Sequence, residues 1–201
     1  MIFQNHIRKK KEGAIKSFTN DFVRRKMSRI VCLTGLSGSG KSEIVCALEK
    51  DPRIGVVRLG ETVRKKCQLE KFIGTTEEYA EKFRFSSICV FLEKEIKIML
   101  DCKEIVVVDS VRTMADYQFL LKMSKDVKLI MIIANRKKRL EWIRKRNRIG
   151  DPFNELKLLN HDYWELNYGI SSLFGLVDKF YINDGNISSL QDTVMEYITC
   201  K

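Results

Sequence analysis

Eight consecutive residues, Gly35-Leu36-Ser37-Gly38-Ser39-Gly40-Lys41-Ser42, constrain this chain more than any other feature. They complete the pattern G-x-x-x-x-G-K-[ST], and their surroundings give the pattern a structural context. Before them, Arg29–Thr34 (RIVCLT) is a β-branched run of strand length; after them, residues 43–49 read as a helix. A strand that enters a helix through glycines turns backbone N–H groups inward around an anion, with the positive end of the helix behind them. Such a cradle suits the triphosphate of a nucleotide, and ATP with magnesium is the expected occupant. All eight residues from Gly35 to Ser42 are expected to meet it. Lys41 supplies a mobile charge to the β- and γ-phosphates, and the Ser42 hydroxyl ligates Mg2+.

Four further apolar runs follow: residues 55–59, 104–108 (EIVVV), Val127–Ala134 and Lys179–Asn183 (KFYIN), with helical stretches between them. Alternation of this kind predicts an α/β fold with a five-stranded parallel sheet, right-handed crossovers and helices on both faces. Ligands then sit at the carboxyl ends of the strands. Asp109, at the end of the run IVVV, stands where a second acidic ligand for Mg2+ is needed; the same residue is also placed to cap the helix after "DSVRT".

The chain has 201 residues and 44% apolar content, enough for one sizeable core. No apolar run approaches the roughly 20 residues that span a bilayer, so membrane insertion is not expected. The N-terminus has no compact apolar segment followed by a small-residue cleavage site, which points to the cytoplasm. Six cysteines without a C-x-x-C pair argue against zinc and disulfides, and are read as buried thiols. The net charge of +11 is uneven, because the first 26 residues hold eight Lys and Arg against Glu12 and Asp21. Three readings of this leader stay open: a nucleic-acid grip, an amphipathic contact through Ile7, Ile15, Phe18 and Phe22, or a solvated tail.

Phosphoryl transfer spreads negative charge over equatorial oxygens, and guanidinium groups are the usual answer. The segment NRKKRLEWIRKRNRIGDP, residues 135–152, is rich in them. On a helix Arg139, Ile143 and Arg146 share one face, so two guanidinium groups can be aimed together while Trp142 takes another side; the helix should end near Gly150. Arg148 follows in the same cluster. Gly60 permits a tight turn after the second strand, and Arg64, four residues on, is placed to clamp an acceptor phosphate. Arg112, just after Asp109, is a weaker candidate of the same kind.

The segments TGLSGSGKSE, LGETVRKK, VVVDSVRT, RKRNRIGDP, ELNYGI and VDKFYINDG resemble an archaeal family of small P-loop nucleotide-kinase-like proteins, similar to dephospho-CoA kinases and adenylate kinases. The resemblance covers residues 29–197. It implies a P-loop fold of nucleoside-monophosphate-kinase type with a small helical lid, and a basic extension over residues 1–28. Within the kinase domain, residues 61–100 would form the acceptor side and 136–165 the lid. Gly60 and Arg64 match the family's acceptor-side G-x-x-x-R, Asp109 and Arg112 its D-G-[IV]-R, and Arg139, Arg146 and Arg148 its lid. Asn183 and Gly185 match a strand-loop that runs beside the adenine. The implied activity moves the γ-phosphoryl group of Mg-ATP to a small nucleotide-like acceptor, a nucleoside monophosphate or dephospho-CoA. An RNA-associated or regulatory P-loop ATPase is the alternative. The chain departs from the family pattern in three places: Ser110 stands where glycine is usual, His161 precedes Asp162 where arginine is usual, and residues 84–100 lack the acidic, glycine-containing acceptor pattern.

Overall fold

The computed structural model describes residues 28–147 and 150–200; the expected basic extension up to residue 27 and the lid candidate Arg148 lie outside the described residues. Five strands, β1 (Arg29–Thr34), β2 (Ile54–Arg58), β3 (Ile105–Asp109), β4 (Val127–Ala134) and β5 (Lys179–Asn183), form one sheet in the order β2-β3-β1-β4-β5. Every pairing is parallel. A parallel sheet is covered on both faces, so its inner strands are continuously apolar instead of alternating; all five residues of β3 are buried.

One face packs Val31, Leu33, Val107, Ile130 and Ile132 against helix α1 (Lys41–Leu48) and the C-terminal helix Ile187–Thr199. The other face packs Ile30, Cys32, Val106, Val108 and Leu129 beneath α2 (Leu59–Leu69), α3 (Thr76–Glu81), a 3-10 turn at Ile88–Leu92, α4 (Glu93–Cys102) and α5 (Met114–Met123). The expected helical region over 61–100 is thus several short pieces; Thr75 starts α3 with a capping box to Glu78.

Two helices close the carboxyl ends of the strands. The first is α6 (Arg136–Arg146) and the second α7 (Glu155–Glu165), prolonged by a π-helical stretch Leu166–Ile170 and the turn Ser171–Leu173. The C-terminal helix is α8. Helix α6 ends earlier than the expected Gly150, because Asn147 takes a left-handed conformation with φ 45° and stops it. All six cysteines are free thiols, but only Cys32 and Cys89 are buried and Cys67 half-buried, whereas Cys46, Cys102 and Cys200 are exposed. Expecting all six inside overcounts: α1 and α4 each leave a cysteine on their solvent side. Among the described residues no helix is long and apolar enough to cross a membrane.

Candidate active site

The P-loop glycines are set by close approach as well as by φ. A Cβ on Gly35 (φ 132°) would lie 2.2 Å from the Ile132 carbonyl oxygen on β4, and one on Gly40 (φ 97°) 2.3 Å from Asn183 Nδ2. Asn183 is 4% exposed and donates to the Ser39 carbonyl at 3.0 Å, while its Oδ1 accepts from the Gly185 N–H at 3.1 Å. The residue expected beside the adenine therefore also braces the phosphate loop from β5. Lys41 is buried, and its Nζ donates to the Gly35 and Leu36 carbonyls at 2.5 and 3.0 Å. Burial lowers the Lys41 ammonium to about 8, with Glu165 and Asp109 opposing that shift.

Asp109 ends β3 and is 7% exposed. The cap of α5 is Thr113, whose Oγ1 accepts from the Asp116 N–H at 3.1 Å, so Asp109 has no capping duty. Ser110 donates to Asp109 Oδ1 at 3.2 Å and holds φ 69°, in the left-handed region. Glycine fits that conformation without a Cβ clash, which explains why glycine suits this position. Ser110→Gly is expected to stabilise the fold by up to about 1 kcal/mol, read from the midpoint of urea unfolding.

A cavity of about 1180 Å³ runs from Ser37 through Ser42 past Asp109 and Ser110 to Gly60, Arg64, Glu77, Arg112, His161 and Trp164. Its volume exceeds that of a pocket for one drug-sized molecule, about 300–1,000 Å³. Gly60 is not a turn residue: it sits in the first turn of α2, where an added Cβ would be 3.6 Å from Arg64 Nη1 and 3.9 Å from Ser110 Oγ. Arg146, Trp142 and Gly185 also line the cavity. Ser42 and Asp109 both face it and offer hard oxygens, the donor chemistry that suits Mg2+.

Arg139 corrects the expected lid geometry. It shares a helix face with Ile143, but that face packs down onto the loop, since a Cβ on Gly38 would meet Ile143 Cδ1 at 2.7 Å. Arg139 is 3% exposed, forks onto Asp162 at 2.8 and 2.5 Å, and donates to the Ser37 carbonyl at 2.9 Å. It is not among the residues lining the cavity. Arg146 does face the cavity and pairs with Asp151 at 2.6 and 2.8 Å. The two guanidinium groups are therefore not aimed together.

Helix α7 supplies residues that the sequence alone leaves without a role. Glu165, fully buried, accepts from the Ser37 N–H at 2.7 Å and Oγ at 2.9 Å, and pairs with Arg112 Nη2 at 2.8 Å. His161 lies between Glu77 on α3 at 3.5 Å and Glu165 at 3.6 Å. His161, Asp162 and Glu165 place ligand atoms within 4.8 Å of one another, but their two carboxylates are committed to Arg139 and Arg112. The cluster is an ion-pair network.

Burial alone would lower the His161 imidazolium, yet Glu77 and Glu165 outweigh it and raise the pKa above the ordinary value. Histidine here thus recovers part of the charge an arginine would carry. A pKa raised by folding stabilises fully below the unfolded value, about 6.5, and the gain fades as pH rises through the folded value. His161→Gln should cost more stability at pH 6 than at pH 9, measured by urea unfolding at both.

No family model matches the chain. A UPF0200 protein of Staphylothermus marinus is 31% identical over 162 residues, spanning 79% of this chain and 85% of the relative. The chain belongs to the UPF0200 family. UPF0200 proteins of Pyrococcus abyssi and Thermoplasma volcanium are 28% and 30% identical, covering 81% and 79% of the chain and 91% and 89% of the relatives. Among solved structures, a Deinococcus radiodurans tunicamycin resistance protein superposes with TM-score 0.58 at 17% identity, covering 87% of this chain and 97% of that one. A shikimate kinase of Bacteroides thetaiotaomicron gives 0.54 at 11%, covering 86% and 99%. At these identities the likeness is one of fold, and this UPF0200 chain has the P-loop kinase-like architecture.

Within the UPF0200 chain, Ser37–Ser42, Asp109, Gly60, Arg64, Arg112, Arg146, Asn183 and Gly185 line one cavity, and Arg139 buttresses it from outside. Glu165 and Tyr168 lie in the segment ELNYGI that helps carry the family resemblance, so their presence is signalled though their contacts are not.

Proposed function

We propose that this UPF0200 protein is a phosphotransferase moving the γ-phosphoryl group of Mg-ATP to a nucleotide or nucleotide-like acceptor, a nucleoside monophosphate or dephospho-CoA. One observation carries the reading: the phosphate loop, Asp109, Gly60, Arg64 and Arg112 all line a single cavity. A donor and an acceptor held in one enclosure react without first having to find and orient each other, and that advantage alone can remove a large part of a barrier.

In this reading the loop N–H groups and Lys41 hold the donor phosphates. Lys41 moves from its contacts on the Gly35 and Leu36 carbonyls onto the phosphate oxygens. Ser42 and Asp109 would hold Mg2+, which would supply positive charge against the donor phosphates as transfer proceeds. Arg64 and Arg112 orient the anionic end of the acceptor, and Arg146 approaches from α6. For a hydroxyl acceptor Asp109 accepts the proton; a phosphate acceptor is already anionic and needs no base. Residues 61–100 act as the acceptor side and 136–165 as the lid. The test offers γ-labelled ATP and magnesium with all nucleoside monophosphates, dephospho-CoA and a short RNA. Label on one small acceptor names the substrate; free phosphate alone, stimulated by RNA, rejects the proposal in favour of an ATPase.

A further inference from the structure

Glu165 is the most deeply buried carboxylate among the described residues, at 0% exposure. A carboxylate so far from water costs several kcal/mol unless its lone pairs are met by donors and its charge by cations. Glu165 meets both conditions, with partners on two separate segments that line the cavity, the phosphate loop and the stretch after β3. Its Oε2 accepts from the Ser37 N–H and its Oε1 from the Ser37 hydroxyl, in the donor loop. Its Oε1 also accepts from Arg112 Nη2 at 2.8 Å, on the acceptor wall. Burial raises its pKa, yet Arg112, Lys41 and His161 together hold it below the ordinary carboxylate value, so the group is an anion.

Residues 164–169 are anchored on the acceptor side at several further points. Tyr168 Oη donates to the Ala80 carbonyl at 3.1 Å, Trp164 Nε1 to Glu81 at 3.0 Å, and Arg84 to the Asn167 carbonyl. A Cβ on Gly169 would lie 2.7 Å from the Arg112 carbonyl oxygen, so this glycine lets the π-helical turn seat directly on the backbone that carries Arg112. Arg112 Nε is buried with no hydrogen-bond partner, and Arg112 lines the cavity. Glu165 therefore fixes one nitrogen of a guanidinium whose side chain is still 23% exposed and borders the cavity.

We infer that Glu165 is a positioning residue coupling the two halves of the site: one buried carboxylate holds the donor loop at Ser37 and presents Arg112 to the anionic group of the acceptor. The inference rests on the phosphotransferase reading above and adds a residue that touches neither substrate. Its signature is a split in substrate dependence. A change at Glu165, or at its partner in the ATP loop, weakens use of the acceptor more than use of ATP.

Initial rates of phosphoryl transfer over a grid of ATP and acceptor concentrations test this with the full chain. Glu165→Gln, which keeps shape and removes the charge, should raise the acceptor KM about tenfold or more, as loss of one charge-assisted hydrogen bond implies, with the ATP KM within about threefold. Arg112→Lys should do the same, and the double variant should be no worse than the more affected single one. Should Glu165→Gln not fold, Ser37→Ala is the second probe: it lies in the ATP loop, yet should raise the acceptor KM more than the ATP KM. Equal rises in both KM values, a fall in kcat alone, or multiplying effects of Glu165→Gln and Arg112→Lys would each overturn the inference and leave the phosphotransferase reading intact. A wild type that transfers to no acceptor overturns both.

Discussion

Lys41→Ala is expected to lower phosphoryl transfer by about 10²–10³-fold, the range seen when one preorganised donor to a developing charge is removed. The size follows from where the ammonium sits. It is buried at the base of the loop, and its Nζ contacts the Gly35 and Leu36 carbonyls within the same segment that is proposed to cradle phosphate. The charge is therefore held beside the proposed phosphate site and has only to leave these two carbonyls when an anion arrives. Stability should fall less, by about 1–3 kcal/mol, since two loop carbonyls, that of Gly35 buried, lose their donor. Labelled transfer and urea unfolding on the same preparation separate the two effects. Because burial brings Lys41 down to about 8, nucleotide affinity should also weaken as pH rises through that value. Titration with ATP at pH 7 and pH 9.5 measures the loss, and the alanine variant should show none of it.

Asp162→Ala should destabilise the fold by about 3–5 kcal/mol, because it strands a buried guanidinium. The Arg139 side chain is 4% exposed and its Nε already lacks a hydrogen-bond partner. Without Asp162, only the Ser37 carbonyl remains as an acceptor. Domains of ordinary stability hold about 5–15 kcal/mol, so a large part of the total goes. Replacing both partners, Arg139→Met with Asp162→Leu, should cost clearly less than Asp162→Ala alone, since no unpaired charge is left behind. Guanidinium unfolding of the three variants decides the matter; equal costs for the single and the double would mean that packing, not charge, holds α7 to the loop.

The strands are readable from sequence to within about a residue because both faces of the sheet are covered. Apolar runs such as IVVV mark such strands without any need for alternation. The P-loop is readable for a different reason: its requirements are local, and eight adjacent residues state them. Arg139 is misjudged from sequence because helical spacing tells which residues share a face, but not whether that face looks down or out. The answer comes from Gly38, which has no side chain to keep Ile143 away. Glu165 and Asp162 are harder still. Glu165 lies 128 positions from Ser37, and Arg139 lies 102 positions from the same residue. An acid on an ordinary helix carries no local mark of such a partner. Ser110 is visible as a departure, and its φ of 69° supplies the reason glycine is favoured there.

Ser37 is held at both of its backbone polar groups, its N–H by Glu165 and its carbonyl by Arg139, which leans in turn on Asp162. Ser39 is held from β5 through Asn183. During synthesis, then, the motif at residues 35–42 emerges long before the segments that shape it. A nascent or truncated chain ending before Glu155 would contain every residue of the phosphate signature and lack three of its supports. On the proposed reading, nucleotide binding should accordingly be acquired late, after α7 and β5 have docked.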